Sequence, residues 1–212
     1  MGRPFADRTD AGRALAAPLV ELGLRRPLLV GLARGGVPVA AAAATALGRG
    51  AEVDVGVARK ITVPERPEAG LGAVAVDGAP VWFDAALQHA GLTPDALADV
   101  VAAERAEAAR REEAYGAGPR GRVADRDVVL VDDGVATGMT VRAALGALAA
   151  GGPARLVLAV PVASPPALAR LAADWGGTVV AVLVPPDFRA VGDVYDDFAQ
   201  LTDDDVRRVL GR

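Results

Sequence analysis

Short apolar runs rich in Val and Leu recur along the chain at 28–33, 53–58, 128–133, 156–162 and 178–184. Each is bounded by turn residues and too short for a helix, which predicts strands buried on both faces. Alanine-rich stretches of helical length follow three of them, ending at Leu47 and spanning 139–150 and 165–175. Strands that alternate with helices in this way predict an α/β fold: an open, twisted, mainly parallel sheet with helices on both faces.

Helix starts are marked by their caps. Thr93-Pro94-Asp95 and Ser164-Pro165 each pair a capping hydroxyl with a proline at the first helical position. Thr202 followed by Asp203, Asp204 and Asp205 predicts a short terminal helix with acids at its positive end. Two parts break the alternation. A hairpin at 73–83 is followed by two helices, 84–90 and 95–114, the second carrying Glu107 and Arg111 at i,i+4 spacing. This reads as a helical insertion over 84–118. Beyond the last strand, 185–200 is rich in loop residues and opens a tail over 185–212. The whole of 1–212 reads as one domain with these two additions.

Composition narrows the chemistry. Apolar residues make up 52% and charged residues 24%, as in an ordinary folded domain. There are no cysteines and a single histidine, His89, so thiol nucleophiles, disulfides and Cys- or His-based metal sites are not expected. The N-terminal stretch has no apolar core of a secretory signal, and Ala6 stands where a myristoylation motif requires Ser or Thr. The longest apolar run, 37–47, falls well short of the roughly 20 residues needed to span a bilayer. A cytoplasmic protein without membrane contact is expected. A net charge of −4, with seven aspartates and one arginine between Pro185 and Asp205, argues against nucleic acid as a partner. Of 23 basic residues only Lys60 is lysine, so an ammonium stands out there against an arginine background.

The most informative segment is 128–140, VVLVDDGVATGMT. A buried strand ends in Asp132 and Asp133, and a small-residue turn leads through Thr137-Gly138-Met139-Thr140 into a helix. Amides at a helix start form an anion cradle, which threonine hydroxyls extend. Carboxylates beside it, at the carboxyl end of a parallel strand, would suit a sugar diol. A Walker A loop would need a lysine in this turn, and none is present. A haloacid-dehalogenase-like site would need one residue between the two acids. A dinucleotide fingerprint would need glycine spacing that Gly31, Gly35 and Gly36 do not give. The plain alternative is a strand-to-helix turn capped by Asp and Thr.

This segment resembles the phosphoribosyl-pyrophosphate loop of the type I phosphoribosyltransferases. The resemblance implies that Asp132 and Asp133 hold the ribose hydroxyls and a magnesium ion. It implies that Gly134, Val135, Ala136, Thr137, Gly138, Met139 and Thr140 surround the 5′-phosphate, with the backbone from Val135 to Thr140 and two threonine hydroxyls binding it. LARGGVPVA at 32–40 resembles the family's pyrophosphate loop, with Arg34, Gly35 and Gly36 at its tip. A non-proline cis peptide is expected there, at Arg34–Gly35. Arg59 and Lys60, read as ending the second strand, would face the pyrophosphate, and 61–72 would close over the site. The motifs at 59–64, 72–74 and 188–198 resemble a little-characterised bacterial phosphoribosyltransferase-like group.

The resemblance implies a magnesium-dependent transfer of 5-phosphoribose from phosphoribosyl pyrophosphate to a nitrogenous base or amine. It also implies a homodimer and a hood formed by the tail. The alternative function is a regulatory protein that binds phosphoribosyl pyrophosphate or a nucleotide without catalysis. Ala136 occupies the place where 6-oxopurine enzymes carry an aspartate, which argues against that acceptor chemistry. Phe188 and Tyr195, with Phe198, would either stack on an acceptor base or anchor the tail.

Overall fold

The computed structural model describes residues 3–48, 50–63, 70–116 and 118–212. Five parallel strands form the main sheet: β1 (Leu28–Leu32), β2 (Glu52–Gly56), β6 (Asp127–Val131), β7 (Arg155–Val162) and β8 (Thr178–Leu183), in the order β2-β1-β6-β7-β8. Between β2 and β6 in the chain, β3 (Ala58–Ile61), β4 (Gly72–Ala75) and β5 (Val81–Trp82) make a separate antiparallel sheet.

The strict alternation of side chains across each strand divides the core in two. Leu28, Val30, Val128, Leu130, Leu158 and Val160 face α5 (Met139–Ala150) and α6 (Pro165–Asp174). Leu29, Val129, Val131, Val157 and Ala159 face the opposite way, onto α1 (Arg8–Glu21) and α2 (Gly36–Leu47). Both faces are covered by helices, so β1 and residues 128–131 of β6 are apolar throughout, as the sequence pattern requires. The sheet order reverses between β1 and β6. The carboxyl ends of those two strands therefore flank a crevice, where open α/β sheets bind ligands.

The strand positions follow the sequence pattern with small shifts in their ends, and Asp132 and Asp133 lie just beyond β6. One expectation is corrected. Arg59 and Lys60 do not end the second strand of the main sheet, because β2 stops at Gly56 and the chain enters β3 of the hairpin sheet. Helix α1 went unpredicted. Asp7 caps it by accepting from the Asp10 amide at 2.8 Å, and Ala11, Leu15, Ala16 and Leu19 form its buried stripe. Ser164 caps α6, and Thr202 with Asp205 forms a capping box on α7 (Asp203–Leu210). The stretch 84–114 forms α3 (Asp84–Ala90), a 3₁₀ turn at Asp95–Leu97 and α4 (Ala98–Ala114).

The tail returns to the start of the chain. The Phe5 amide donates to Val194 O, and the Asp196 and Asp197 amides donate to Phe5 O and Ala6 O, each at 2.9 Å. No helix among the described residues is long and apolar enough to cross a membrane.

Candidate active site

At the crevice, the loop after β1 and the loop after β6 come into direct contact. A side chain at Gly35 would place its Cβ 1.8 Å from Asp133 Oδ2, and one at Gly36 would lie 2.3 Å from Val131 O. Only glycine allows the two loops to approach this closely. The cis peptide bond in the first loop is Ala33–Arg34, one bond before the expected Arg34–Gly35.

Asp132 and Asp133 sit side by side, and the Asp133 amide donates to Asp132 Oδ1 at 2.9 Å. Burial raises the Asp132 carboxyl well above the usual range, and the adjacent Asp133 charge pushes it the same way. Burial also raises Asp133, against the opposing pull of Arg8. Arg8 Nε donates to Asp133 Oδ2 at 2.8 Å, and its guanidinium lies 3.9 Å over the Phe198 ring. The sequence reading missed Arg8. It stands 125 residues from its partner, and no local pattern links the two.

The start of α5 is open to an anion. The backbone amides of Ala136, Thr137, Gly138, Met139 and Thr140 donate no hydrogen bond among the described residues. They point to the free, positive end of a twelve-residue helix. Gly138 turns the chain with φ +79°. Val135 departs from expectation: its amide is already used, donating to Val162 O at 2.9 Å. Gly134 lies under the tail, where a Cβ would meet Val191 at 2.5 Å and Val162 at 2.8 Å. Ser164 Oγ donates to Ala136 O at 2.7 Å and fixes the turn from behind.

The remaining expected residues divide. Lys60 is exposed on β3 and lines a cavity of about 260 Å³ with Gly72, Phe83, Thr137, Met139 and Arg170, so it lies beside the turn that opens α5. Arg59, one residue earlier, points to the other face of the strand and pairs with Glu104 of α4 at 2.7 Å, away from that cavity. Arg34 lines a second cavity of about 280 Å³ with Arg8, Gly35 and Phe198, and lies 3.8 Å from Asp203 of α7. Tyr195 is fully buried and cannot stack on a ligand. Its hydroxyl donates to Asp133 O at 2.6 Å, and its ring stacks on Phe198 at 4.9 Å. Tyr195 therefore anchors the tail, and Phe188, partly buried, packs against the same cluster. Much of the expected closing segment, residues 64–69, lies outside the described residues.

No group of three or more His, Asp or Glu side chains among the described residues is arranged to hold a metal. Two adjacent, partly buried carboxyls still fit magnesium, which takes one or two carboxylates and completes its shell with substrate oxygens. Asp132, whose carboxyl accepts only the Asp133 amide, is the freer of the two.

A doubly wound sheet carries an acidic pair and an open helix start at its switch point, an arrangement suited to an anionic ligand with hydroxyl groups. The chain belongs to the phosphoribosyl transferase domain family, whose model matches residues 6–178. It is 40% identical over 210 residues to a Mycobacterium tuberculosis protein provisionally named a phosphoribosyl transferase, covering 98% of this chain and 46% of that protein. The chain thus spans about half the length of this curated relative. The crystal structure of TT1426 from Thermus thermophilus is 45% identical, with a TM-score of 0.80, covering 99% of this chain and 98% of that one. The purine phosphoribosyltransferase from Pyrococcus horikoshii shares the fold, at 16% identity and a TM-score of 0.51, covering 95% and 99%.

Proposed function

We propose that the protein transfers 5-phosphoribose from phosphoribosyl pyrophosphate to a nitrogenous base or amine. The bond from ribose C1 to pyrophosphate breaks, a bond from C1 to the acceptor nitrogen forms, and that nitrogen gives up a proton. The observation that carries this reading is the contact of Gly35 with Asp133, which joins the β1 loop to the β6 loop at the switch point.

In this reading the amides of Ala136 through Thr140 and the hydroxyls of Thr137 and Thr140 hold the 5′-phosphate. Asp132 and Asp133 orient the ribose through its two hydroxyls. The Asp132 and Asp133 carboxylates, with substrate oxygens, would hold magnesium. When bound, magnesium supplies positive charge to the departing pyrophosphate. Lys60, Arg34 and the backbone at Gly35 and Gly36 add donors on the same side. The tail, 185–212, serves as a hood that braces Asp133 through Tyr195, and 84–118 is an insertion that orients β3. Gly134, Val135, Phe188, Tyr195 and Arg59 act on the framework of the site.

The test is pyrophosphate release from phosphoribosyl pyrophosphate and magnesium across a panel of purine and pyrimidine bases and simple amines. Release with at least one acceptor, lost in Asp132→Asn/Asp133→Asn, is expected. Tight binding of phosphoribosyl pyrophosphate with no release for any acceptor would favour a regulatory binding protein. Absence of binding would overturn the reading.

A further inference from the structure

A cavity of about 340 Å³ lies away from the crevice, beneath the β4–β5 turn and against the later turns of α5. Its size is that of a small-molecule pocket. Val30, Val57, Val76, Leu130, Ala144 and Leu148 give it an apolar wall. It includes none of the residues at 34–36 or 132–140.

One of its three charged lining residues, Glu112, is buried in that wall, while Asp77 and Arg120 are exposed. Glu112, near the end of α4, is 8% exposed. Its Oε1 accepts from the Val57 amide at 3.0 Å. Its Oε2 accepts no hydrogen bond among the described residues and keeps some accessible surface, so it is not sealed in the interior. The chain passes directly over this carboxyl at Gly118, where any Cβ would come within 2.2 Å of Oε2. No cation among the described residues forms a salt bridge with it. Arg120, at the rim, instead donates to Asp77 at 2.7 Å.

A gap left by imperfect packing would be lined by apolar groups alone, since a buried carboxyl without a counter-charge is costly. A cavity whose largely apolar lining carries one unpaired carboxyl in its wall, with the only other charged lining groups, Asp77 and Arg120, paired with each other at the rim, has the complement of an amphiphilic cation. We propose that this cavity is a binding site, separate from the phosphate loop, for a small aryl- or alkylamine whose ammonium pairs with Glu112. The apolar body of the ligand fills the space between β4 and α5. The exposed Asp77–Arg120 pair marks the entrance. Burial pushes the Glu112 carboxyl up to about 7, opposed by the Val57 amide and Arg120 and reinforced by Asp77 and Asp54. That direction agrees with a carboxyl lacking a cation.

The test is a calorimetric and NMR titration of the full chain with 2-phenylethylamine, 2-phenylethanol and 3-phenylpropionate. The amine should bind at least tenfold more tightly than either of the others, with amide shifts at Val57 and Val123. Ala144→Leu, which fills the cavity, should weaken the amine at least tenfold. Ala147→Leu, nearer the mouth, serves the same purpose should the first variant fail to fold. Glu112→Gln should remove the preference for amine over alcohol. Binding of inorganic phosphate at the start of α5 should be unchanged in all three variants, which separates this site from the transferase reading. Equal affinity for the three probes, amine binding indifferent to the filled cavity, or no binding at millimolar concentration would each overturn the proposal.

Discussion

Gly35→Ala puts the contact between the two loops under direct strain. The new methyl carbon would lie 1.8 Å from Asp133 Oδ2 and 2.4 Å from Asp133 Cγ, far inside any van der Waals contact. The β1 loop cannot simply back away, because Gly36 is held against Val131 O and the chain turns at once into α2. The carboxylate must therefore swing, and in doing so it leaves Arg8 Nε, now 2.8 Å away. A charge-assisted hydrogen bond of this kind is worth about 1.5–3 kcal/mol. For a chain of this length each kcal/mol shifts Tm by about 2–4 °C, so a fall of roughly 3–12 °C is expected. Thermal melts of Gly35→Ala, Arg8→Met and the double variant test the route of the loss. If the cost runs through the Arg8–Asp133 bond, Gly35→Ala will cost at least about 1 kcal/mol less once Arg8 is gone. Strict additivity, or a Tm within about 2 °C of the parent, would refute the reasoning.

Three further outcomes follow from the same geometry. Glu112 binds its proton more tightly folded (about 7) than unfolded (4.5), so its contribution favours the folded state at low pH and is lost as pH rises from 4.5 through 7. Urea melts should show the parent losing on the order of 2 kcal/mol more than Glu112→Gln across that window, and parallel profiles would contradict it. Lys60→Met should slow transfer or weaken pyrophosphate with little change in Tm, since the side chain is exposed, and Lys60→Arg should restore part of the loss; steady-state kinetics of pyrophosphate release would check both. Tyr195→Phe removes the hydrogen bond to Asp133 O and should lower stability by about 1 kcal/mol in denaturant melts; no change would mean that the hydroxyl contributes nothing to the brace.

The five strands of the main sheet and the helix starts at Ser164 and Thr202 were legible because each is encoded locally, by an apolar run or a cap. The acidic pair and the turn into α5 were legible for the same reason, since Asp132 through Thr140 are contiguous. Partners distant in sequence were not. Nothing near Arg8 announces Asp133, and nothing near Arg34 announces Asp203. Arg59 and Lys60 were read together, yet a strand turns neighbours to opposite faces, and which face meets the site depends on how the hairpin sheet packs. The aromatics at 188–198 were open to two readings, and burial decides that of Tyr195, which is fully enclosed, while Phe188 and Phe198 are only partly buried. The Val135 amide was counted as a ligand donor because the sequence does not show that β7 ends beside it.

Residues 5–8 and 194–197 are stitched together although nearly the whole described chain lies between them. Synthesis runs at about 5–20 residues per second, so a nascent chain waits on the order of 10–40 s between making the first strip and making the second. During that interval Arg8 can already meet Asp133, but Phe5 has no partner and nothing covers the peptide at Asp133. The acidic pair is thus assembled in two instalments, and its roof arrives last. A ribosome-stalled chain ending before Tyr195 would carry the carboxylates wet, with Phe5 exposed as a handle for chaperones.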